Sequence, residues 1–300
     1  MAGMPGTGGT RMLAWSFVGP ALLLLIAFNL FPLAWNIVLS FTNADLSGGT
    51  WEWVGGRNYA TIFSDKSFAA KYGAALRTTA LFTVLAVAIE LALGFALALA
   101  LRRDFRGKTP LLAVLLLPMM LSPAVMGLFW NLILEGTYGP LNQILGLAGL
   151  SQPAWRTEFK LLCLLLVDVW MWTPFMMLIA LAGLNAIPAQ LYEAAEIDRT
   201  PAWRVFARIT LPLCAPLLGL AVLLRATDAL KQFDLVMAIT GPNDQATQTV
   251  SALLYQTTFA NQKVGLGAAY AIVVLVGVIA VATLFTRYLD WMAARQGREG

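Results

Sequence analysis

The stretch LYEAAEIDRTPAWRVFARITLP, residues 191–212, is a charged interlude between two long apolar runs. It holds three acids (Glu193, Glu196, Asp198) and three bases (Arg199, Arg204, Arg208) in a chain that has few of either. Residues 187–198 favour a helix, with Pro188 near its start and Ala194 and Ala195 inside. Thr200-Pro201 then punctuates it, because a residue before proline is pushed out of the helical region while proline suits the first position of a new helix. Thr200 is the expected N-cap of that second helix, whose apolar residues Trp203, Val205, Phe206 and Ile209 lead to Pro212. The segment reads as two short helices joined by a bend. Taken alone it fits a solvated amphipathic loop.

Of the 300 residues, 59% are hydrophobic and 12% are charged, and mean hydropathy is +0.72. Soluble domains are about 25% charged and about 45–50% apolar, so composition alone makes this a membrane protein. The net charge of +4 is spread over several loops and implies no nucleic-acid partner. Histidine is absent, which removes Ser-His and Cys-His catalysis and histidine-ligated metals. The two cysteines, Cys163 and Cys214, lie in apolar segments and build neither a disulfide framework nor a zinc site. No metal is expected.

A membrane span needs about 20 mostly apolar residues. Six stretches qualify: 13–41, 78–101, 110–134, 160–184, 212–236 and 265–287. The first is too long for a signal-peptide core and reads as an uncleaved span. Orientation follows from Lys and Arg in short loops. Arg102, Arg103, Arg106 and Lys108 crowd one loop, residues 185–211 add three arginines, and Arg11 and the C-terminal tail fall on the same side if six spans alternate. Both termini and the opening stretch are therefore expected in the cytoplasm. On the other side, residues 42–76 fold over the outer surface, 135–150 reads as a turn and a short interfacial helix, and 240–249 is turn chemistry.

The opening stretch resembles the EAA motif of the membrane subunits of binding-protein-dependent ATP-binding-cassette importers. Glu193, Ala194, Ala195, Asp198, Phe206, Ile209, Leu211 and Pro212 match that motif. It departs at Arg199, where the motif has Gly, and at Thr200, where Ala is common. Glycine there permits a tight bend, and Pro201 offers a different one. Three further stretches are similar to the carbohydrate branch of the family: WVGGRNY (53–59), VWMWTPFMMLIALAGLNAIPAQLYEAA (169–195) and RATDALKQFDLVMAITGPNDQATQTVSALLYQTTF (225–259). The matches occur in order along nearly the whole chain.

The resemblance implies an all-α type I importer permease of a bacterial inner (plasma) membrane, with six transmembrane helices and both termini cytoplasmic. It divides the chain into an N-terminal tail, first span and external loop (1–75), an importer core (76–288) and a cytoplasmic tail (289–300). The loop Glu193, Ala194, Ala195, Asp198, Arg199, Thr200 and Pro201 would dock on a cytoplasmic ATPase, Glu193 pairing with a base there. The implied partners are a second homologous permease, two ATPases, an external substrate-binding protein, the lipid bilayer and a sugar or polyol. ATP and Mg would be used by the ATPases and no cofactor by this chain, which fits the lack of a GxxxxGK[ST] phosphate loop.

Ionisable residues inside a membrane are costly and point to function. The fifth stretch carries Arg225, Asp228, Lys231 and Asp234, each three apart with alternating sign. Such a row is either a self-neutralising stripe or part of a pathway. The fourth carries Asp168, with Trp172 and Phe175 on the same helical face. At 1.5 Å per residue, Arg225 lies roughly 20 Å from the cytoplasmic end and Asp168 roughly 12 Å from the outer end, so the two fall at similar depth. An aromatic platform beside hydrogen-bonding groups suits a sugar. Likeness to the maltose-type permeases points to Asp168, Trp172, Phe175, Arg225, Asp228, Ala229 and Gln232 as the substrate pathway. Glu90, also near mid-membrane, is expected to make a structural bond to a neighbouring helix. The alternative, a self-contained ion-coupled secondary transporter, predicts inverted repeats and broken helices around charged sites, and no repeat is evident. A membrane-embedded hydrolase lacks a nucleophile motif.

Overall fold

The structure, a computed structural model, describes the backbone of residues 7–296 and the side chains of 15–291. Arg298, and the side chains of Arg11 and Arg295, which entered the orientation argument, lie outside the described residues. Among the described residues the extended regular elements are all helices: α1 Thr7–Leu25, α2 Phe31–Ser40, α3 Arg57–Ser64, α4 Lys66–Leu101, α5 Lys108–Leu116, α6 Pro123–Ile133, α7 Pro140–Leu147, α8 Trp155–Glu158, α9 Lys160–Asn185, α10 Ala189–Ile197, α11 Ala202–Val205, α12 Leu211–Ala229, α13 Asp234–Ile239, α14 Val250–Tyr255 and α15 Val264–Gln296. Single π turns at Ile26–Leu30 and Phe206–Thr210 join α1 to α2 and α11 to α12.

Among the described residues, five helical stretches are long and apolar enough to cross a bilayer: Trp15–Ser40, Lys66–Leu101, Lys160–Asn185, Ala202–Ala229 and Val264–Trp291. The expected span 110–134 is not one helix. It breaks into α5, a 3₁₀ turn at Pro118–Met120 and α6, because Pro118 has no N–H to continue the ladder and Pro123 sits where a helix begins. The expected span 212–236 is shifted towards the N-terminus: its helix begins at Ala202 and ends at Ala229. The second span starts earlier than residue 78, since Asp65 Oδ1 accepts from the backbone N–H groups of Ser67 and Phe68, each at 2.9 Å, and so caps α4. The tail from 289 is not separate where it is described, because α15 continues through Gln296.

The chain forms two compact units, one of residues 1–69 and 257–275, the other of residues 70–256 and 276–300. In the first unit the WVGGRNY stretch closes a loop. Trp53 stacks on Phe41 at 5.5 Å, Gly55 turns the chain with a positive φ of 57°, and Asn58 donates to the carbonyls of Ser40 at 2.9 Å and Thr42 at 2.7 Å. Tyr59 completes it with a 2.8 Å hydroxyl bond to Ser40.

The second unit is built on α9, which is mostly buried, packs along α12 and meets α4 at Gly94. One core cluster joins Phe82, Ala86, Val167, Met176, Ala221 and Leu235; a second joins Ala98, Met177, Ala180, Leu184, Cys214 and Leu218. In lipid, helices gain little from hydrophobic burial and rely on close packing of small residues. Gly94 supplies it here: a Cβ would stand 2.6 Å from Met176 Cβ and 2.8 Å from Met177 N.

The charged interlude folds as two helices and a bend, but the bend is not made by proline. Arg199 takes φ +47°, the N–H of Thr200 bonds the carbonyl of Ala195 at 2.9 Å, and that of Arg199 bonds Glu196 at 3.0 Å. This is the Schellman ending that glycine favours, so arginine occupies the glycine conformation. Thr200 is not the N-cap of α11; Pro201 holds that position, and Thr200 spends its N–H closing α10. A left-handed L-residue costs about 1–2 kcal/mol. Arg199→Gly is therefore expected to leave the loop geometry intact and stabilise it by about 1 kcal/mol. A lowered unfolding midpoint of the purified subunit in detergent would contradict this.

Candidate functional site

Two regions of the second unit gather the residues singled out by sequence. The first is the loop at α10 and α11. Glu193, Ala194, Asp198, Arg199 and Pro201 are exposed, Thr200 is half-buried and Ala195 is buried against the unit. Tyr192 anchors α10: its hydroxyl lies 3.1 Å from that of buried Thr210, and the Arg102 guanidinium sits 4.0 Å above its ring. Arg102 follows α4 and Thr210 precedes α12, so one side chain ties the loop to the ends of two long helices. Ile197 and Trp203, 83% and 66% exposed, leave apolar surface on this loop.

The second region centres on Arg225. It is 2% exposed. Its Nη2 donates to Glu90 Oε1 at 3.1 Å and to Asp168 Oδ2. Its Nε lies 2.9 Å from Glu90 Oε2 without hydrogen-bond geometry, so that contact is coulombic. The guanidinium also lies 5.0 Å over the Trp172 ring. Glu90 is fully buried on α4 and forms the expected bond to a neighbouring helix, with Arg225 as its partner.

The sequence row of four charges does not survive as one stripe. After Ala229 the chain leaves the helix, and α13 restarts at Asp234. Only Asp228 and Lys231 pair, at 3.4 Å; Arg225 turns inward to the two acids. The link lets Gln232 fold back, its Nε2 donating to Asp168 Oδ1 at 2.9 Å. Its carbonyls are satisfied from α14 and the residue before it: Thr249 Oγ1 donates to Gln232 O at 2.8 Å and Ser251 Oγ to Lys231 O at 3.1 Å.

A cavity of about 330 Å³ opens beside this link, lined by Pro123, Trp172, Arg225, Asp228, Lys231, Gln232, Phe233 and Asp234. Four of the seven expected pathway residues (Trp172, Arg225, Asp228, Gln232) line it. Asp168 lies behind them, fully buried and bonded to two. Phe175 and Ala229 pack in the core instead; Phe175 meets Trp172 edge-on at 6.3 Å. Pro123 and Phe233 were missed. Pro123 belongs to a segment read as continuous helix, and KQFD at 231–234 contains neither Gly nor Pro to announce the break.

A second polar cavity, of about 470 Å³, lies beside the 135–137 turn and is lined by Glu135, Arg156, Lys160 and Asp244 among others. Lys160 pairs with Asp244, and Arg156 Nη1 donates to Asn131 Oδ1 at 2.8 Å. The backbone N–H of Tyr138 holds the Glu135 carboxyl below its ordinary pKa.

Long apolar helices beside a charged cavity of about 330 Å³ fit a membrane transport protein. The model of the family described as "Binding-protein-dependent transport system inner membrane component" matches residues 90–295. The chain belongs to that family. It is 32% identical over 290 residues to the trehalose transport system permease protein SugA of Mycobacterium tuberculosis, covering 96% of this chain and 92% of that one. It is 31% identical over 277 residues to the trehalose/maltose transport system permease protein MalF of Thermococcus litoralis, with 92% of each covered. Among solved structures it is similar to a bacterial ABC transporter involved in the import of the acidic polysaccharide alginate, with TM-score 0.79, 19% identity and 94% and 96% of the two chains covered. The chain is thus a multi-pass inner-membrane permease component of a binding-protein-dependent transport system, working with partner proteins. The helix break beside charged residues that the secondary-transporter alternative also predicted occurs at 230–233, and the family match does not favour that alternative.

Removing one member of a buried ion cluster strands the others and typically costs about 3–5 kcal/mol. Arg225→Gln is expected to abolish a folded, monodisperse subunit or lower its unfolding midpoint sharply. Adding Glu90→Gln and Asp168→Asn should recover most of the loss, as read by gel filtration and thermal unfolding in detergent. A single Arg225→Gln as stable as the parent would remove the cluster from its structural role.

Proposed function

We propose that this chain carries a sugar or polyol across the inner membrane, beside a second homologous permease and above two ATPase subunits that consume ATP and Mg. An external substrate-binding protein delivers the solute. The named relatives support a sugar. The carrying observation is the cavity of about 330 Å³ whose lining joins aromatic Trp172 and Phe233 to the polar side chains of Asp228, Lys231 and Asp234. Glu90, Arg225 and Asp168 tie α4, α12 and α9 together, with Arg225 also lining the cavity. In this reading α5 and α6 together make the third of six crossings, with both termini in the cytoplasm. Irregular backbone at membrane depth is tolerated where it lines a cavity or is buried in protein, which accommodates both breaks.

The loop of Glu193, Ala194, Ala195, Asp198, Arg199, Thr200 and Pro201 docks on an ATPase subunit in this proposal. Glu193 meets a base, the small Ala194 permits close approach, and exposed Ile197 and Trp203 find cover there. Truncating a charge in a desolvated interface typically costs about 2–5 kcal/mol. Glu193→Ala should leave insertion normal but weaken ATPase retention in pull-down and uncouple ATP hydrolysis from uptake. Assembly and uptake at parental levels would refute the pairing.

Orientation is tested separately. Cys163 and Cys214 are buried, so single cysteines introduced at the surface report alone. In intact cells, Gly107→Cys and Thr200→Cys should resist an impermeant thiol reagent while Ser47→Cys reacts. Labelling of Thr200→Cys from outside, in correctly inserted protein, would reject the cytoplasmic placement of the loop.

A further inference from the structure

We propose that the cavity beside the 230–233 link admits an uncharged carbohydrate and rejects an anionic one; this rests on the reading of that cavity as the transport pathway. Kinship leaves the charge of the solute open, since relatives are named for trehalose and maltose while the similar solved importer is described for an acidic polysaccharide.

Holding an anion here would take a cation with charge to spare. Arg225 has none. Its guanidinium faces two carboxyl groups, Glu90 and Asp168, and its open face is taken by Trp172. Even with a proton shared between the two acids, the arginine is fully matched. Lys231 is the other base, and it pairs with Asp228 at 3.4 Å, both side chains more than half exposed. Asp234 adds a second exposed carboxylate to the wall, with no cation at ion-pair distance among the described residues. The solvent-reachable charges are therefore two acids and one base, backed by an arginine already neutralised.

A cleft of that sign repels anions and concentrates cations. Carboxylates are good acceptors for hydroxyl groups, and Trp172 and Phe233 add aromatic surface to the lining. A neutral sugar meets acceptors and a stacking surface. A phosphorylated or carboxylated one meets like charge.

The assembled transporter, with its ATPases, is tested through Pro123→Cys and, separately, Phe233→Cys. Pro123 opens a helix where no hydrogen bond is lost on substitution, and the native cysteines are buried. Each cysteine is modified by methanethiosulfonate reagents of similar size carrying a trimethylammonium or a sulfonate group. The ratio of rates is normalised to that at Ser47→Cys. The cationic reagent should react faster by about tenfold or more, and Asp228→Asn with Asp234→Asn should cut that preference severalfold. Equal or faster reaction of the sulfonate reagent at both positions overturns the proposal, as does a preference unmoved by the two neutralising substitutions. Complete modification at both positions with uptake and coupled ATP hydrolysis unchanged would instead sink the pathway reading, so the two failures are distinguishable.

Discussion

Among the described residues Arg225 is the one buried cation, and the packing around it follows from its needs. A guanidinium away from water must find acceptors or not be there at all. Glu90 and Asp168 stand 135 and 57 residues away in sequence and supply them. Meeting both at once fixes the rotation and depth of α4, α9 and α12 together. Apolar contacts alone would specify this less well, because in lipid the alternative to a helix neighbour is another hydrocarbon surface. Gly94 adds the complementary constraint by bringing α4 against the backbone of α9 at Met176 and Met177. The ion cluster sets register, and the glycine sets distance.

The cavity is a consequence of how the same cluster is completed. Asp168 has an acceptor left after Arg225, and Gln232 reaches it only because the chain stops being helical at Ala229. Ending a helix inside a membrane exposes carbonyls that must be satisfied locally. Thr249 and Ser251 do this for Gln232 and Lys231. Thr79 on α4 in turn receives the N–H of Val250 at 3.0 Å. The break, the polar residues after it and the space beside it are thus one arrangement.

These physical dependencies explain what was legible in the sequence. The apolar helices near 13–41, 160–184 and 265–287 and the short helix at Pro140–Leu147 follow from local composition and appear where expected, and the bend lies near Thr200 although Arg199 rather than Pro201 makes it. Asp168 and Arg225 were placed at similar depth from helical rise alone, and they are bonded. The errors have a common origin. The row Arg225, Asp228, Lys231, Asp234 was read at helical spacing, yet the helix ends for a tertiary reason, the reach of Gln232 to Asp168, which no local residue announces. Phe175 and Ala229 share a face with pathway residues by spacing, but the neighbouring core claims them. Arg199 shows the reverse case. A glycine was missing, yet the glycine geometry persisted, because two backbone hydrogen bonds outweigh the cost of one left-handed arginine.

The loop and the buried cluster are connected through the same helices. Tyr192 is gripped by Arg102 just after α4 and by Thr210 just before α12. Glu90 lies roughly 18 Å up α4 from that grip, and Arg225 roughly 22 Å along α12, at about 1.5 Å per residue. A force applied to α10 therefore reaches both partners of the central ion pair along continuous helix. Gentle strain along two helices that share a buried ion pair cannot be absorbed by stretching it, since separation strands charge in a low-dielectric interior. The helices must move as a body, carrying Trp172 and the cavity wall with them, or the pair must be broken outright. A two-state response to a push on the loop is what such a constraint favours, because packed cores and buried ion clusters yield in discrete steps rather than by continuous deformation.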